Sequence, residues 1–167
     1  SNNTGAGFGA LAQNSTGTQN TAFGVSALAA NQGGTQNTAI GFGSMSNTIA
    51  GSYNTALGAG SLNANSSGSY NTGLGYYSLA TNATGTQNVS IGTFTMFYNT
   101  GGYYNTAVGD ASLQNNTVGI ENAAFGISTL AGNTIGNGNT AIGPRAGVGT
   151  NAGDNLTSVK DDYATFI

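Results

Sequence analysis

Eight aromatic side chains crowd one stretch of this chain: Tyr70, Tyr76, Tyr77, Phe94, Phe97, Tyr98, Tyr103 and Tyr104. The sequence has only 7 Phe and 8 Tyr, so this is half of its rings. They sit among Asn, Thr and Ser. An exposed ring can stack on the C–H face of a sugar while neighbouring amides and hydroxyls meet its polar groups. These eight residues are therefore the candidate ligand-binding set, for a cell-surface glycan or a protein receptor. Packing against neighbouring chains, or around Gly101-Gly102, is the competing use.

Other chemistry is sparse. The sequence has no His, no Cys and no Trp. That excludes thiol nucleophiles, imidazole bases and Cys/His metal sites, and no cofactor is expected. Five carboxylates are present, and only Asp161 and Asp162 are neighbours. A glycosidase needs two facing carboxyls, so no catalytic residues are assigned and the chain reads as a non-enzyme. Arg145 and Lys160 are its only cations. That is no footprint for a phosphate backbone, which argues against nucleic acid as a partner. No apolar run approaches the ~20 residues of a membrane span, so this segment is not expected to insert. Ser1-Asn2-Asn3 has neither a basic nor an apolar export region, so any such signal is expected upstream or already removed.

What positions the rings is a repeat. Asn-Thr-Ala, an apolar residue and Gly recur every 17 residues, starting at 3, 20, 37, 54, 71, 88, 105, 122 and 139. Nine repeats fill residues 3–155 without insertion, within a first domain of 1–155. The consensus is N-T-A-[FILV]-G-x-x-[SA]-[LM]-x-x-N-x-x-G-x-[QY]. Column one is always Asn (Asn20, Asn37, Asn54, Asn71). Column five is always Gly (Gly24, Gly41, Gly58, Gly75), and so is column fifteen. These Asn and Gly columns are the predicted structural ladder. Fixed glycines imply positive φ or an approach too close for a Cβ. Two per repeat would cost a helix about 1 kcal/mol each, and a disordered linker needs no fixed phase.

The spacing predicts an all-β repeat solenoid or prism of nine coils, stacked at about 4.8 Å per layer into a rod roughly 40 Å long. Each coil is expected to hold a Thr-Ala-apolar strand, a Gly bend, a second strand ending at Leu, and an Asn/Gly turn. Columns four (Phe23, Ile40, Leu57) and nine (Leu28, Met45, Leu62) are the expected core. That core is thin for one chain. Small residues such as Ala22, Ala39 and Ala56 would suit close contact with another chain, which points to self-association, most simply as a homotrimer.

The pattern Asn20-Thr21-Ala22-Phe23-Gly24…Ser26-Ala27-Leu28 and its copies resembles the YadA-like head repeat of trimeric autotransporter adhesins. It is similar also to the longer repeats of bacterial surface fibres and phage tail fibres. The resemblance implies a homotrimeric, β-rich, extracellular fibre segment used for attachment at a cell surface or on a virion. The 17-residue period is longer than that of the best-described heads, and no neck, stalk or anchor pattern is present, so membrane insertion and autonomous trimerisation are not carried over.

Two other functions fit the pattern. Repeats that begin at residue 3 without a polar cap present an open coil edge, which suits head-to-tail polymerisation into filaments. A threonine column (Thr4, Thr21, Thr38, Thr55, Thr72, Thr106, Thr140) suits ice binding, although its strand parity with column four would turn it inward. Residues 156–167 leave the repeat and hold Lys160, Asp161 and Asp162. They read as a cap, an extra strand or a linker.

Overall fold

The computed structural model describes residues 2–148. The 156–167 segment and the end of the ninth repeat lie outside the described residues. Each coil contributes one short strand: β1 (Thr4–Ala6), β2 (Thr21–Phe23), β3 (Thr38–Ile40), β4 (Thr55–Leu57), β5 (Thr72–Leu74), β6 (Val89–Ile91), β7 (Thr106–Val108), β8 (Ala123–Phe125) and β9 (Thr140–Ile142). The strands form one parallel sheet in sequence order, with every partner 17 residues away. The chain is an all-β solenoid, with no helix among the described residues.

Inter-coil bonding continues well beyond the strands. Leu28 N–H donates to the Ser44 carbonyl (3.0 Å), Ala30 to Ser46 (2.9 Å), Gln32 to Ile49 (3.0 Å) and Gly41 to Phe23 (2.8 Å). Gln36 donates to Thr18 (3.0 Å), which carries the ladder to the last side of the coil. The backbone of one coil is thus bonded to the next around its circumference.

The predicted second strand is absent. From column six to column eleven the chain runs through tight turns, such as Ala27 N–H to Gly24 carbonyl and Asn31 N–H to Leu28 carbonyl. Here column nine is left-handed, from φ 46° at Met96 to 53° at Leu11. Leucine and methionine pay a conformational penalty of about 1–2 kcal/mol each there. Their side chains are driven fully inside in return: Leu28, Met45, Leu62, Leu79, Met96, Leu113 and Leu130 are completely buried.

The interior differs from the expected one in a second way. Column four, predicted as core, lies outside: Phe23 is 43% exposed and Leu57 49%. Column three lies inside instead, with Ala22, Ala39, Ala56, Ala107 and Ala124 fully buried. Successive strand residues face opposite ways, and columns one and three share the inward parity. Opposite the Leu/Met column, the bore holds only Ala, Gly or Ser, so bulk is forced outward. Ala22, Ala39 and Ala56 therefore serve the chain's own core rather than a neighbour. The threonines of column two share the outward parity and stand beside column four.

Much of the interior is amide. Asn20, Asn37, Asn54, Asn71, Asn88, Asn105, Asn122 and Asn139 are buried. The Oδ1 of Asn54 accepts from the Asn71 backbone N–H (2.9 Å), while the Nδ2 of Asn54 donates to the Gly68 carbonyl (2.9 Å). The same pair of bonds recurs at Asn71 and Asn88. Column twelve forms a second ladder, as in Asn82 Nδ2 to Asn65 Oδ1 (2.7 Å) and Asn99 Nδ2 to Asn82 Oδ1 (2.7 Å).

That second ladder has one break. Thr48 replaces the asparagine, and both Asn31 Oδ1 and Thr48 Oγ1 are buried without a partner. The missing Nδ2 is the donor that Asn31 Oδ1 lacks. A buried orphan costs about 1–3 kcal/mol. Thr48→Asn should therefore raise stability by about 1–2 kcal/mol, read as a higher denaturant midpoint at an unchanged slope.

Candidate functional site

The ladder makes the backbone of every coil equivalent, so a local surface can differ only through its outward side chains. By ring contact the eight candidate residues fall into three groups. Tyr70 stacks flat on Tyr53 of the preceding coil (4.8 Å, 3°), both in column seventeen. Tyr103 and Tyr104 meet edge to face (5.3 Å). Tyr76, Tyr77, Phe94, Phe97 and Tyr98 form a continuous chain of rings.

Local geometry explains that chain. Tyr77 and Phe94 occupy column seven of adjacent coils, both left-handed (φ 50° and 51°), and lie nearly parallel at 6.2 Å. Phe97 packs edge-on against Phe94 (5.7 Å) and also against Tyr98 (4.7 Å, 81°). Tyr77 and Phe97 are half-buried and anchor the group, while Tyr76 and Tyr98 stand about half exposed. Edge-to-face rings at such distances contribute roughly 0.5–1.5 kcal/mol per pair beyond burial. Tyr98 is thus the outer end of a braced series.

Beside Tyr98 lies an open depression of about 630 Å³, lined by Thr81, Tyr98, Thr100, Asn115, Thr117 and Thr134. It spans four successive coils. Thr81, Tyr98 and Asn115 come from column eleven, and Thr100, Thr117 and Thr134 from column thirteen. The threonines escaped the sequence reading because Thr is common in this chain. The available signal was their run in one column: elsewhere that column holds Ser15, Gln32, Ile49, Ser66 and Ala83.

The lining carries no charged residue, and its donors are largely spent. Thr81 Oγ1 donates to the Phe97 carbonyl (2.7 Å), Thr100 Oγ1 to Thr117 (3.1 Å) and Thr117 Oγ1 to Thr134 (2.9 Å). Asn115 Nδ2 donates to the Ala131 carbonyl (2.8 Å). What remains toward a ligand is a set of acceptor oxygens beside one aromatic ring, with a second N–H on Asn115 and the Tyr98 hydroxyl as further donors, while Thr134 Oγ1 is buried without a partner. Among the described residues no group of three or more His, Cys, Asp or Glu converges as a metal site would require.

A second surface runs the length of the rod. Phe23, Ile40, Leu57, Ile91, Phe125 and Ile142 form an exposed row on the sheet, and Phe8, Val25, Phe42, Tyr76 and Ile127 of column six are exposed as well. Isolated exposed apolar residues are ordinary, whereas a continuous row marks a contact surface. The chain matches no protein-family model, no curated protein and no solved structure.

Proposed function

We propose that this chain is a non-enzymatic, stiff segment of an extracellular fibre, a bacterial surface adhesin or a phage tail fibre, that associates with copies of itself as a homotrimer and carries an adhesive surface. The observation that carries this reading is the exposed column-four row. It repeats at every coil, is apolar from Phe23 to Ile142, and has no charge beside it before Asp110. Because each coil is sealed by its own ladder, such a row is not needed for folding. Side-by-side association of parallel rods would cover it along the whole axis. The resemblance to YadA-like head repeats supports three copies rather than two.

Solution mass tests this. The chain should run at three times its 16.4 kDa mass. Leu57→Lys combined with Ile91→Lys should return it to a single chain mass with its β signal intact, since both positions are exposed and make no core contact. A wild-type monomer would sink the trimer, and open-ended polymers would favour the head-to-tail filament instead.

A further inference from the structure

We infer that the depression beside Tyr98 is a binding site for a neutral saccharide; this deepens the adhesive reading above and rests on it. Two separate departures from the repeat converge there. Column eleven is otherwise small or polar (Gln13, Ala30, Asn47, Ala64) but becomes Tyr98, and column thirteen becomes threonine at Thr100, Thr117 and Thr134. The solenoid needs neither change. Ala64 and Ser66 complete the same columns two coils earlier.

The chemistry of the lining selects the ligand. Thr81, Thr100 and Thr117 have spent their donors on backbone carbonyls and offer acceptors, while Asn115 has spent one of its two N–H donors and keeps its amide oxygen. Acceptors therefore predominate, with a donor left on Asn115 and on Tyr98, and a ligand that carries several hydroxyls can both donate to and accept from this lining. Without a carboxylate or a cation in the lining, neither a cationic nor an anionic ligand finds a counter-charge, which leaves hydroxyl groups on a neutral molecule. The Tyr98 ring, held by Phe97, adds a flat apolar face. A pyranose has both properties, an apolar C–H face and a rim of hydroxyl donors. The lining residues recur at one coil step, about 4.8 Å, close to the advance of one ring along an extended glycan. A short oligosaccharide lying parallel to the rod axis would thus meet an equivalent acceptor at each ring.

The test is an array of neutral oligosaccharides (cello-, chito-, malto- and galacto- series) printed beside sulfated and sialylated glycans, followed by titration calorimetry on any bound member. Tyr98→Ala is the first variant, and Ala30 and Ala64 show that the coil accepts alanine there. Thr117→Gln is the second; it fills the depression without touching Tyr98, and Gln32 occupies the same column. Tyr53→Ala, an exposed ring outside the depression, is the control. The expected result is binding that falls at least tenfold in Tyr98→Ala and in Thr117→Gln, and is unchanged in Tyr53→Ala. No binding to any neutral member, or binding that survives both variants or fails equally in the control, would overturn the site. So would binding confined to sulfated or sialylated glycans. Solution mass is unaffected by these changes, so a failed site leaves the fibre reading to its own measurement.

Discussion

Asn71→Asp should fold almost as well as the parent at pH 3 and lose about 2–4 kcal/mol by pH 7. The side chain of Asn71 is buried. Its Oδ1 accepts from the Asn88 N–H (3.1 Å), and its Nδ2 donates to the Gly85 carbonyl (2.8 Å) and to Asn54 Oδ1 (3.2 Å). An aspartate keeps the shape and the acceptor but turns the donating edge into a second acceptor facing two oxygens. Only its protonated form can donate. Burial and those oxygens raise the folded-state pKa above the unfolded value of about 3.9. Stability is then fully present below that value and declines as pH rises toward the folded pKa. Asn71→Leu, which orphans the Asn88 N–H at any pH, should lose a similar amount without the pH dependence. Denaturant melts of both variants at pH 3 and pH 7 decide the matter; a flat profile for Asn71→Asp would show that its amide is not a required donor.

Gly75→Ala should cost roughly 4 kcal/mol, while Gly43→Ala should cost about 1 kcal/mol. Gly75 has φ +131°, and a Cβ there would fall on the Gly92 carbonyl group, with its carbon at 2.7 Å. That obstacle is backbone in the next coil, so relief requires the coils to part. Gly43 sits at φ +61° with nothing nearer to a Cβ than Asn63 Nδ2 at 3.6 Å. Ser26, Ala111 and Ser128 hold the same column and nearly the same φ without glycine. Gly60 is a poorer control because a Cβ would meet the Tyr77 ring at 2.7 Å. Since coils couple only to neighbours, a defect at Gly75 divides the array. Thermal melts should split into two transitions for Gly75→Ala and stay single for Gly43→Ala; equal midpoints would refute the close-approach account of column five.

The periodic parts of this fold were legible because a ladder imposes the same environment on every copy. Asn20, Asn37, Asn54 and Asn71, with Gly24, Gly41, Gly58 and Gly75, are identical for that reason, and they mark coil length and stacking. Facing follows the width of the bore rather than side-chain bulk. Phe23 and Ile40 are larger than Ala22 and Ala39, but a narrow bore already occupied by Leu28 and Met45 admits only the small residues. The parity of the invariant asparagine was the better guide, since a column that never varies and shares a face with alanine marks the interior. The missing second strand had no such signal. Nothing in leucine's own preferences announces φ near 50° at Leu28 or Leu62; inter-coil bonding and burial impose it. Of the eight aromatic residues, sequence located the region but not its division into three groups, which depends on columns meeting across coils. Tyr98 acquired its surroundings only when Thr81, Asn115 and Thr117 were placed around it.

The bonds that join the coils lie along the length of the rod. A load applied between β1 and β9 therefore pulls every coil interface in series, while the bonds within one interface share that load in parallel. Such a rod holds until one interface gives, then lengthens by a fixed step. One freed coil of 17 residues offers about 55–60 Å of extended chain in place of about 4.8 Å of height. Yielding begins where cohesion is lowest, and the unpartnered Asn31 Oδ1 and Thr48 Oγ1 make the interface of the second and third coils one such weak step. A tether built this way absorbs a sudden tug by shedding turns singly, with the remaining turns still wound.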